Sequence, residues 1–166
     1  MNTDRTPDST RQLSAGFTLI EVLIAVVVLS VGLLGLAGLQ ATSVRNNHDA
    51  YLTTQATYLA NDMADRIRAN TNAAALAAYA AGNSAQNVTC YTGGGCSPTA
   101  MAGNDRFEWD TNLGTFLPAG QGAVARAGNQ FTLTVMWDEL RTGATGTACN
   151  PNNPNDLRCI TIVTQP

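Results

Sequence analysis

The stretch GFTLIEVLIAVVVLSVGLLGLAGL, residues 16–39, decides the fold of this 166-residue chain. From Phe17 to Leu39 it runs for 23 residues with a single charged side chain, Glu21. A helix of that length spans about 30 Å of hydrocarbon, because each residue adds about 1.5 Å along the axis. The stretch therefore predicts a helix that is long and apolar enough to cross a membrane.

The residues before this stretch are polar. Residues 1–16 include Arg5 and Arg11 and contain no apolar run. An ordinary secretory signal is cut after its apolar part, whereas here the polar leader ends at Gly16, before the apolar part begins. Cutting after Gly16 would remove the leader and leave the helix on the mature protein. The two arginines predict that the N-terminus stays in the cytoplasm.

Glu21 is the exception within the apolar segment. A charged side chain at the centre of a membrane helix costs about 2.5–3.5 kcal/mol, and less near the helix end. If cleavage frees the amine of Phe17, that amine lies about one helical turn from Glu21 on its own chain. On a neighbouring chain it could pair with Glu21 and set the axial register. In the alternative interpretation, the carboxylate only reaches the lipid headgroups.

The run Gly16-Phe17-Thr18-Leu19-Ile20-Glu21, followed by apolar residues, resembles the class III signal of type IV prepilins and type II secretion pseudopilins. In that family a prepilin peptidase cuts after the glycine and methylates the new N-terminus. The resemblance implies cleavage between Gly16 and Phe17, N-methylation of Phe17 and subunit docking through Glu21. Residues 30–40 (SVGLLGLAGLQ) and 62–70 (DMADRIRAN) are most similar to the minor pilins called PilV.

The chain departs from many major pilins in having no helix-breaking proline in the apolar segment. It carries Gly32, Gly35 and Gly38 there instead. Glycines allow membrane helices to approach closely, and they also weaken a helix by up to about 1 kcal/mol each. Glycine is also simply common in membrane helices, so close packing, local melting and no special role all remain open.

The resemblance implies an α+β type IV pilin fold, in which a long N-terminal helix packs on a small antiparallel β-sheet. The helix would have a membrane half and an amphipathic half. Three parts are expected: a leader at 1–16, a transmembrane and assembly helix at 17–39, and a periplasmic head at 40–166. The head includes the second half of the helix.

The implied function is that of a minor type IV pilin, which helps to prime or cap pilus assembly and supports twitching motility, adhesion or DNA uptake. The implied partners are prepilin peptidase, major and minor pilins, an inner-membrane assembly platform and lipid. The protein would lie in the inner membrane and then in the pilus at the cell surface. The alternatives are a type II secretion minor pseudopilin and a membrane-anchored periplasmic adhesin or binding module that never assembles.

Later residues show helical and then strand patterns. An apolar stripe at helical spacing predicts that the helix continues to about Tyr79, with the stripe in the core; it comprises Leu52, Ala56, Leu59, Met63 and Ile67. The charges at 62–68 are predicted to form a solvated face with local ion pairs. Residues 82–104 have a loop composition, and residues 105–117 predict a short helix.

Three strands are predicted toward the C-terminus. Residues 123–127 and 130–137, separated by Gly128-Asn129, predict a hairpin, and residues 158–164 predict a third strand. In the second strand apolar and polar residues alternate, which places Phe131, Leu133, Val135 and Trp137 on one face. That face is expected to pack on the long helix.

Four cysteines follow the apolar segment, and none forms a CxxC pair; they are Cys90, Cys96, Cys149 and Cys159. Four cysteines allow three pairings, and the sequence does not choose among them. The local pairs, the first with the second and the third with the fourth, are favoured because each closes a short flexible loop. Disulfides are expected if this part of the chain is periplasmic.

Several function classes are disfavoured. All nine basic residues are arginines, the net charge is −3 and no basic cluster exists, which argues against nucleic-acid binding. His48 has no Cys, Asp or Glu pattern around it that suits a metal. No nucleophile motif, phosphate-binding loop or cofactor motif is present, and Glu108, Asp110, Asp138 and Glu139 are interpreted as structural acids. The sequence therefore predicts no enzymatic activity, metal or cofactor.

Overall fold

The computed structural model describes residues 16–166, so most of the predicted leader lies outside the described residues. The described residues divide into two compact units, one that ends at Val44 and one of residues 45–166. Helix α1 is Leu19–Ala69, α2 is Ala73–Ala80 and α3 is Pro98–Phe116, with a 3-10 helix at Val88–Tyr91. The strands are β1 (Gln121–Ala127), β2 (Gln130–Trp137) and β3 (Arg158–Thr164).

The apolar stripe of α1 lies in the core of the second unit, as the helical spacing predicts. Leu52, Ala56, Leu59, Met63 and Ile67 are all buried. They recur every three or four residues and so share one face of the helix, which removes their side chains from water.

The prediction that this helix continues to about Tyr79 is wrong. Helix α1 ends at Ala69, and the shorter α2 starts at Ala73. The side-chain oxygen of Asn72 accepts a hydrogen bond from the backbone N–H of Ala74 at 3.0 Å, so Asn72 is the N-cap of α2. Asparagine is favoured at this position because its side chain satisfies a backbone donor that has no helical partner.

The prediction of a loop at 82–104 and a short helix at 105–117 is wrong in its boundaries. Helix α3 begins at Pro98 and runs for 19 residues. The hydroxyl of Ser97 accepts a hydrogen bond from the N–H of Ala100 at 3.2 Å, and proline fits the first helical position because it needs no donor there. Glu108 and Asp110 therefore lie in the interior of α3, whereas the sequence pattern placed them near a helix start.

The three predicted strands are confirmed, in one antiparallel sheet of order β1-β2-β3. Gly128 follows β1 with a φ of 62°, a left-handed conformation that glycine adopts at little cost in a hairpin turn. Strand β2 is central and buries its alternating apolar residues, Phe131, Leu133, Val135 and Trp137. This confirms the predicted α+β architecture of a long N-terminal helix with a small antiparallel sheet.

The core of residues 45–166 joins the buried face of α1 to α2, α3 and β2. Trp109 of α3 is fully buried, and its indole N–H donates to the carbonyl of Leu59 in α1 at 2.8 Å. A side chain at Gly122 of β1 would overlap the ring of Trp109 and the side chain of Leu113. Glycine at this position thus lets the sheet approach α3 closely.

Two disulfides pair the cysteines locally. Cys90 is bonded to Cys96 and Cys149 to Cys159, with Cα–Cα distances of 4.7 and 5.5 Å. These are the two pairings that the short intervening loops favour. Cys159 is in β3, so the second bridge holds the preceding loop beside the last strand.

Candidate functional site

The start of α1 is set by Thr18. The backbone N–H of Glu21 contacts the Thr18 hydroxyl oxygen at 3.3 Å and the Thr18 carbonyl at 3.1 Å. Thr18 is therefore positioned as the N-cap, with Glu21 three residues later, which is the spacing of a capping box. The predicted cleavage residues, Gly16 and Phe17, lie immediately before the helix and are exposed.

Every residue from 16 to 44 is exposed, although most are apolar. Phe17 is 83% and Leu19 85% exposed. Leaving so many large apolar side chains in water is unfavourable by about 1.5–3 kcal/mol for each. Helix α1 is the one helix among residues 16–166 that is long and apolar enough to cross a membrane. Lipid or apolar helices of other subunits are the surroundings that suit this surface.

Glu21 lies in the first turn of α1 and is exposed. A shallow groove of about 370 Å³ runs along this part of the helix and is lined by Phe17, Glu21, Val22, Ala25, Val26 and Leu29. Among the groups lining the groove, the carboxylate of Glu21 is the single ionisable side chain. Phe17, whose amine is predicted to pair with an acid of a neighbouring chain, and Glu21, the predicted acid, thus line the same groove.

A second polar cluster lies in the 45–166 unit and centres on Arg66. Its guanidinium bonds Asp62 at 3.0 Å, Asp105 at 3.0 Å and Glu108 at 2.6 Å. Burial would lower the pKa of Arg66, but the hydrogen bonds and charges of these acids outweigh burial and raise the pKa. Arg66 therefore stays charged and ties α1 to α3.

The prediction that Arg66 belongs to a solvated face with only local ion pairs is thus wrong for this residue. It holds for Arg68, whose contact with Asp65 at 2.7 Å is a local pair between exposed side chains. The partners of Arg66 in α3 lie 39 and 42 residues away in the sequence, beyond the reach of a helical-spacing argument.

Two tyrosines complete the Arg66 cluster. The hydroxyl of Tyr79, in α2, donates to a carboxylate oxygen of Asp105. Burial is the larger cause that raises the pKa of Tyr79, and this hydrogen bond is the second. The hydroxyl of Tyr91 donates to Glu108 at 2.5 Å. The hydrogen bond from Tyr91 is the larger cause that holds the pKa of Glu108 below its ordinary value, and the hydrogen bond from Arg66 is the second. The cluster is a structural junction in which every acid has a donor.

Asp138 has a comparable structural role at the end of β2. Its carboxylate accepts the backbone N–H groups of Gly143 at 2.7 Å and Ala144 at 3.3 Å. Burial would raise the pKa of Asp138, but the backbone donors outweigh burial and lower it. Asp138 thus shapes the loop after β2 and supplies no proton at neutral pH.

Metal chemistry finds no support in the described part of the chain. Among residues 16–166 no group of three His, Cys, Asp or Glu side chains is arranged to hold a metal ion. His48 is exposed on α1.

Comparison with protein families bears on both units. The model of the prokaryotic N-terminal methylation motif matches residues 11–37. The model described as Type IV pilin Tt1218-like matches residues 38–107. Comparison with curated proteins and with solved structures returns no match.

The long exposed apolar helix, the small antiparallel sheet and the methylation motif together fit a membrane-anchored pilin. The match to the type IV pilin model over residues 38–107 and to the methylation motif over residues 11–37 supports a type IV pilin-like protein with a class III prepilin signal. The motif implies processing by a prepilin peptidase and pilins as partners. Type IV pilins are structural proteins, not enzymes.

Proposed function

We propose that this chain is a minor type IV pilin that helps to prime or cap pilus assembly, in support of twitching motility, adhesion or DNA uptake. The observation that carries the proposal is the exposed apolar start of α1, which has one acid in its first turn and begins three residues after Gly16. A surface of this kind is unfavourable in water, and it is suited first to lipid and then to the helices of other pilins.

The proposed processing divides the chain at one bond. A prepilin peptidase hydrolyses the peptide bond between Gly16 and Phe17, which releases residues 1–16 and leaves a free amine on Phe17. N-methylation of that amine leaves it basic, so it remains a cation. Residues 17–39 then anchor the mature chain in the inner membrane, and residues 40–166 form the head.

Glu21 is proposed to dock the subunit. In hydrocarbon, an unpaired carboxylate is costly, and the methylated amine of a neighbouring Phe17 is a cation at the same depth. Pairing the two would fix the axial position of one α1 helix against another. Apart from adjacent residues and the local helix backbone, no atom of the described residues lies within 4 Å of where a side chain would begin at Gly32, Gly35 or Gly38, so these positions leave room for a neighbouring helix.

The proposed orientation places the head in the periplasm. Arg5 and Arg11 favour a cytoplasmic leader, and the two disulfides suit an oxidising compartment. The subunit would pass from the inner membrane, through an assembly platform, into the pilus at the cell surface.

The cleavage site is tested by replacing Gly16 with a bulky residue. We expect Gly16→Phe to leave the precursor unprocessed, because a large side chain would occupy the space next to the scissile bond. Mass spectrometry of the isolated protein measures the N-terminus. A mature protein that still begins at a methylated Phe17 would contradict the site.

The docking role is tested by Glu21→Ala. We expect normal cleavage but at least tenfold less protein in purified fibres, since the Phe17 amine of the neighbour would lose its partner. Ser30→Ala is the matched control: Ser30 is exposed on the same apolar segment, and its hydroxyl donates within the helix to the carbonyl of Val26 at 2.7 Å. Equal incorporation of the two variants would refute the pairing.

The runner-up function is that of a type II secretion minor pseudopilin, because the same N-terminal motif serves both machines. A deletion strain assayed in parallel for surface pili and for protein secretion separates them. Loss of pili with normal secretion supports the proposal, and the reverse result supports the pseudopilin. A membrane-anchored adhesin that never assembles would retain its function in the Glu21→Ala variant.

A further inference from the structure

We propose that the free edge of β3 accepts an extended segment of a different polypeptide as a fourth strand of the sheet. Strand β3 pairs with β2 on one side, and no other strand among residues 16–166 pairs with it on the other. An edge strand presents a row of backbone N–H and C=O groups, and an extended backbone is the partner that matches such a row.

The edge of β3 lacks the features that usually prevent strand pairing. After Arg158 the strand has no charge, proline or glycine. Its last five residues, Ile160–Thr164, are all β-branched, which favours an extended conformation. Edges that avoid pairing commonly carry prolines, bulges or inward-pointing charges.

The opposite edge of the sheet has such a charge. Arg126 of β1 is paired with Phe131, and its guanidinium lies 5.4 Å from the centre of the Phe131 ring, on the core-facing side. A strand added to β1 would have to accommodate this cation. The two edges therefore differ, and β3 is the one open to an apolar partner.

The core is also incomplete beside β3. Ile160 and Ile162 lie opposite Val135 and Leu133, both of which are fully buried, yet the two isoleucines are only partly buried. Val163, on the outer face, is 56% exposed. Side chains of a fourth strand would pack beside Ile160 and Ile162 on the side away from β2 and would bury them further.

A second copy of this chain fits the edge poorly, an argument that rests on the proposed function. Antiparallel pairing of β3 with itself requires a two-fold axis perpendicular to the sheet, which reverses any direction lying in the sheet plane. The buried residues of α1 from Leu52 to Ile67 share one core with the buried face of β2, so this stretch of the helix is in the layer against the sheet and its direction would be reversed. Two copies anchored in one membrane have their α1 helices in the same direction.

The expected partner segment follows from the two faces of β3. It has at least five residues in extended conformation, with apolar side chains at alternate positions facing Ile160 and Ile162. Its other side chains lie beside Thr161 and Val163 and are small, hydroxyl-bearing or β-branched. It carries no charge or proline within the paired stretch.

Site-specific cross-linking in fibre-producing cells tests the proposal. The full chain carries the photo-reactive residue benzoylphenylalanine in place of Val163 or, as the control, in place of Ala125. Both residues flank Thr132 in one cross-strand row of the outer face, but they lie on opposite edges of the sheet. We expect at least tenfold more adduct from position 163, and mass spectrometry should place the cross-link in an uncharged extended segment of another protein.

A blocking variant makes the test specific. Ile162→Lys should reduce the adduct at least tenfold, whereas Ile162→Val should retain it. Thr161→Lys, on the outer face of the same strand, is the second blocking variant if Ile162→Lys loses its protease resistance. Absence of adduct at position 163, equal adducts at both positions, or an adduct with a second copy of this chain would overturn the proposal. The N-terminus and fibre content measured in the same cells show separately whether the proposed function fails.

Discussion

Replacing Arg66 with methionine tests whether the Arg66 cluster holds α1 and α3 together. Methionine keeps much of the length of the side chain but removes its charge and all of its donors. The change leaves three acids without their shared cation, among them Asp105, whose side chain is only 11% exposed. The carboxylates of Asp105 and Glu108 would also repel each other.

The magnitude follows from burial. Removing one partner of a fully buried ion pair costs about 3–5 kcal/mol. The Arg66 side chain is 25% exposed, and water compensates for part of the loss. We therefore expect a loss of about 2–3 kcal/mol in the free energy of unfolding, since exposed pairs contribute much less than buried ones. For a chain of this size the melting temperature should fall by about 5–10 °C.

Arg106→Met is the matched control. Arg106 is more deeply buried, with a side chain 7% exposed, but its Nε and Nη1 atoms have no hydrogen-bond partner among the described residues. Its contacts are with Asp110 at 3.4 Å and the ring of Trp109, and burial lowers its pKa. Replacing a poorly paired buried cation with an apolar side chain is often neutral or stabilising, so we expect a change within about 1 kcal/mol.

Thermal unfolding of the mature chain in detergent at pH 7, followed by near-ultraviolet circular dichroism, measures both variants. We expect Arg66→Met to melt clearly below Arg106→Met. The reasoning is refuted if Arg66→Met melts with the wild type, or if Arg106→Met loses as much stability as Arg66→Met.

The lowered pKa of Glu108 predicts a stability that is fully present above the ordinary glutamate range and is lost as the pH falls through the lowered value. Urea unfolding at pH values from 7 to 3 should show this loss. The free energy of unfolding should decrease less steeply with falling pH in Glu108→Gln than in the wild type, and equal pH dependence of the two proteins would contradict the prediction. Gly122→Ala should cost about 1–3 kcal/mol, because its methyl group would overlap Trp109. Gly114→Ala, at an exposed position in α3 with open space around it, should instead gain about 0.5–1 kcal/mol; equal melting temperatures of the two variants would contradict the close packing.

Periodic apolar patterns predict much of this fold from the sequence. The buried stripe of α1 and the alternation in β2 each repeat with the period of their element, and both are confirmed. The errors occur where short-range polar signals decide the structure. Asn72 begins α2 without a preceding proline or glycine, and Ser97-Pro98 begins α3 within a stretch whose composition suggests a loop. The Ser-Pro pair is a recognisable helix start and could have located α3.

Of the two candidate sites, the sequence predicts the N-terminal motif but not most of the Arg66 cluster. The motif from Gly16 to Glu21 is contiguous, so its members are recognisable in the amino-acid sequence alone. The Arg66 cluster is assembled from three helices and the 3-10 helix, and helical spacing reveals only the contact with Asp62. The remaining partners come together through tertiary packing, and no local sequence pattern encodes them.

The spacing of the cysteines also bears on how the head matures. The bonded cysteines are only six and ten residues apart. The effective concentration of one thiol near another decreases as the connecting chain lengthens, so the nearest partner is met first. With the proposed periplasmic orientation, each correct bridge can therefore form soon after its own segment reaches the oxidising compartment, without waiting for distant parts of the head and with little need for an isomerase to correct mispaired thiols.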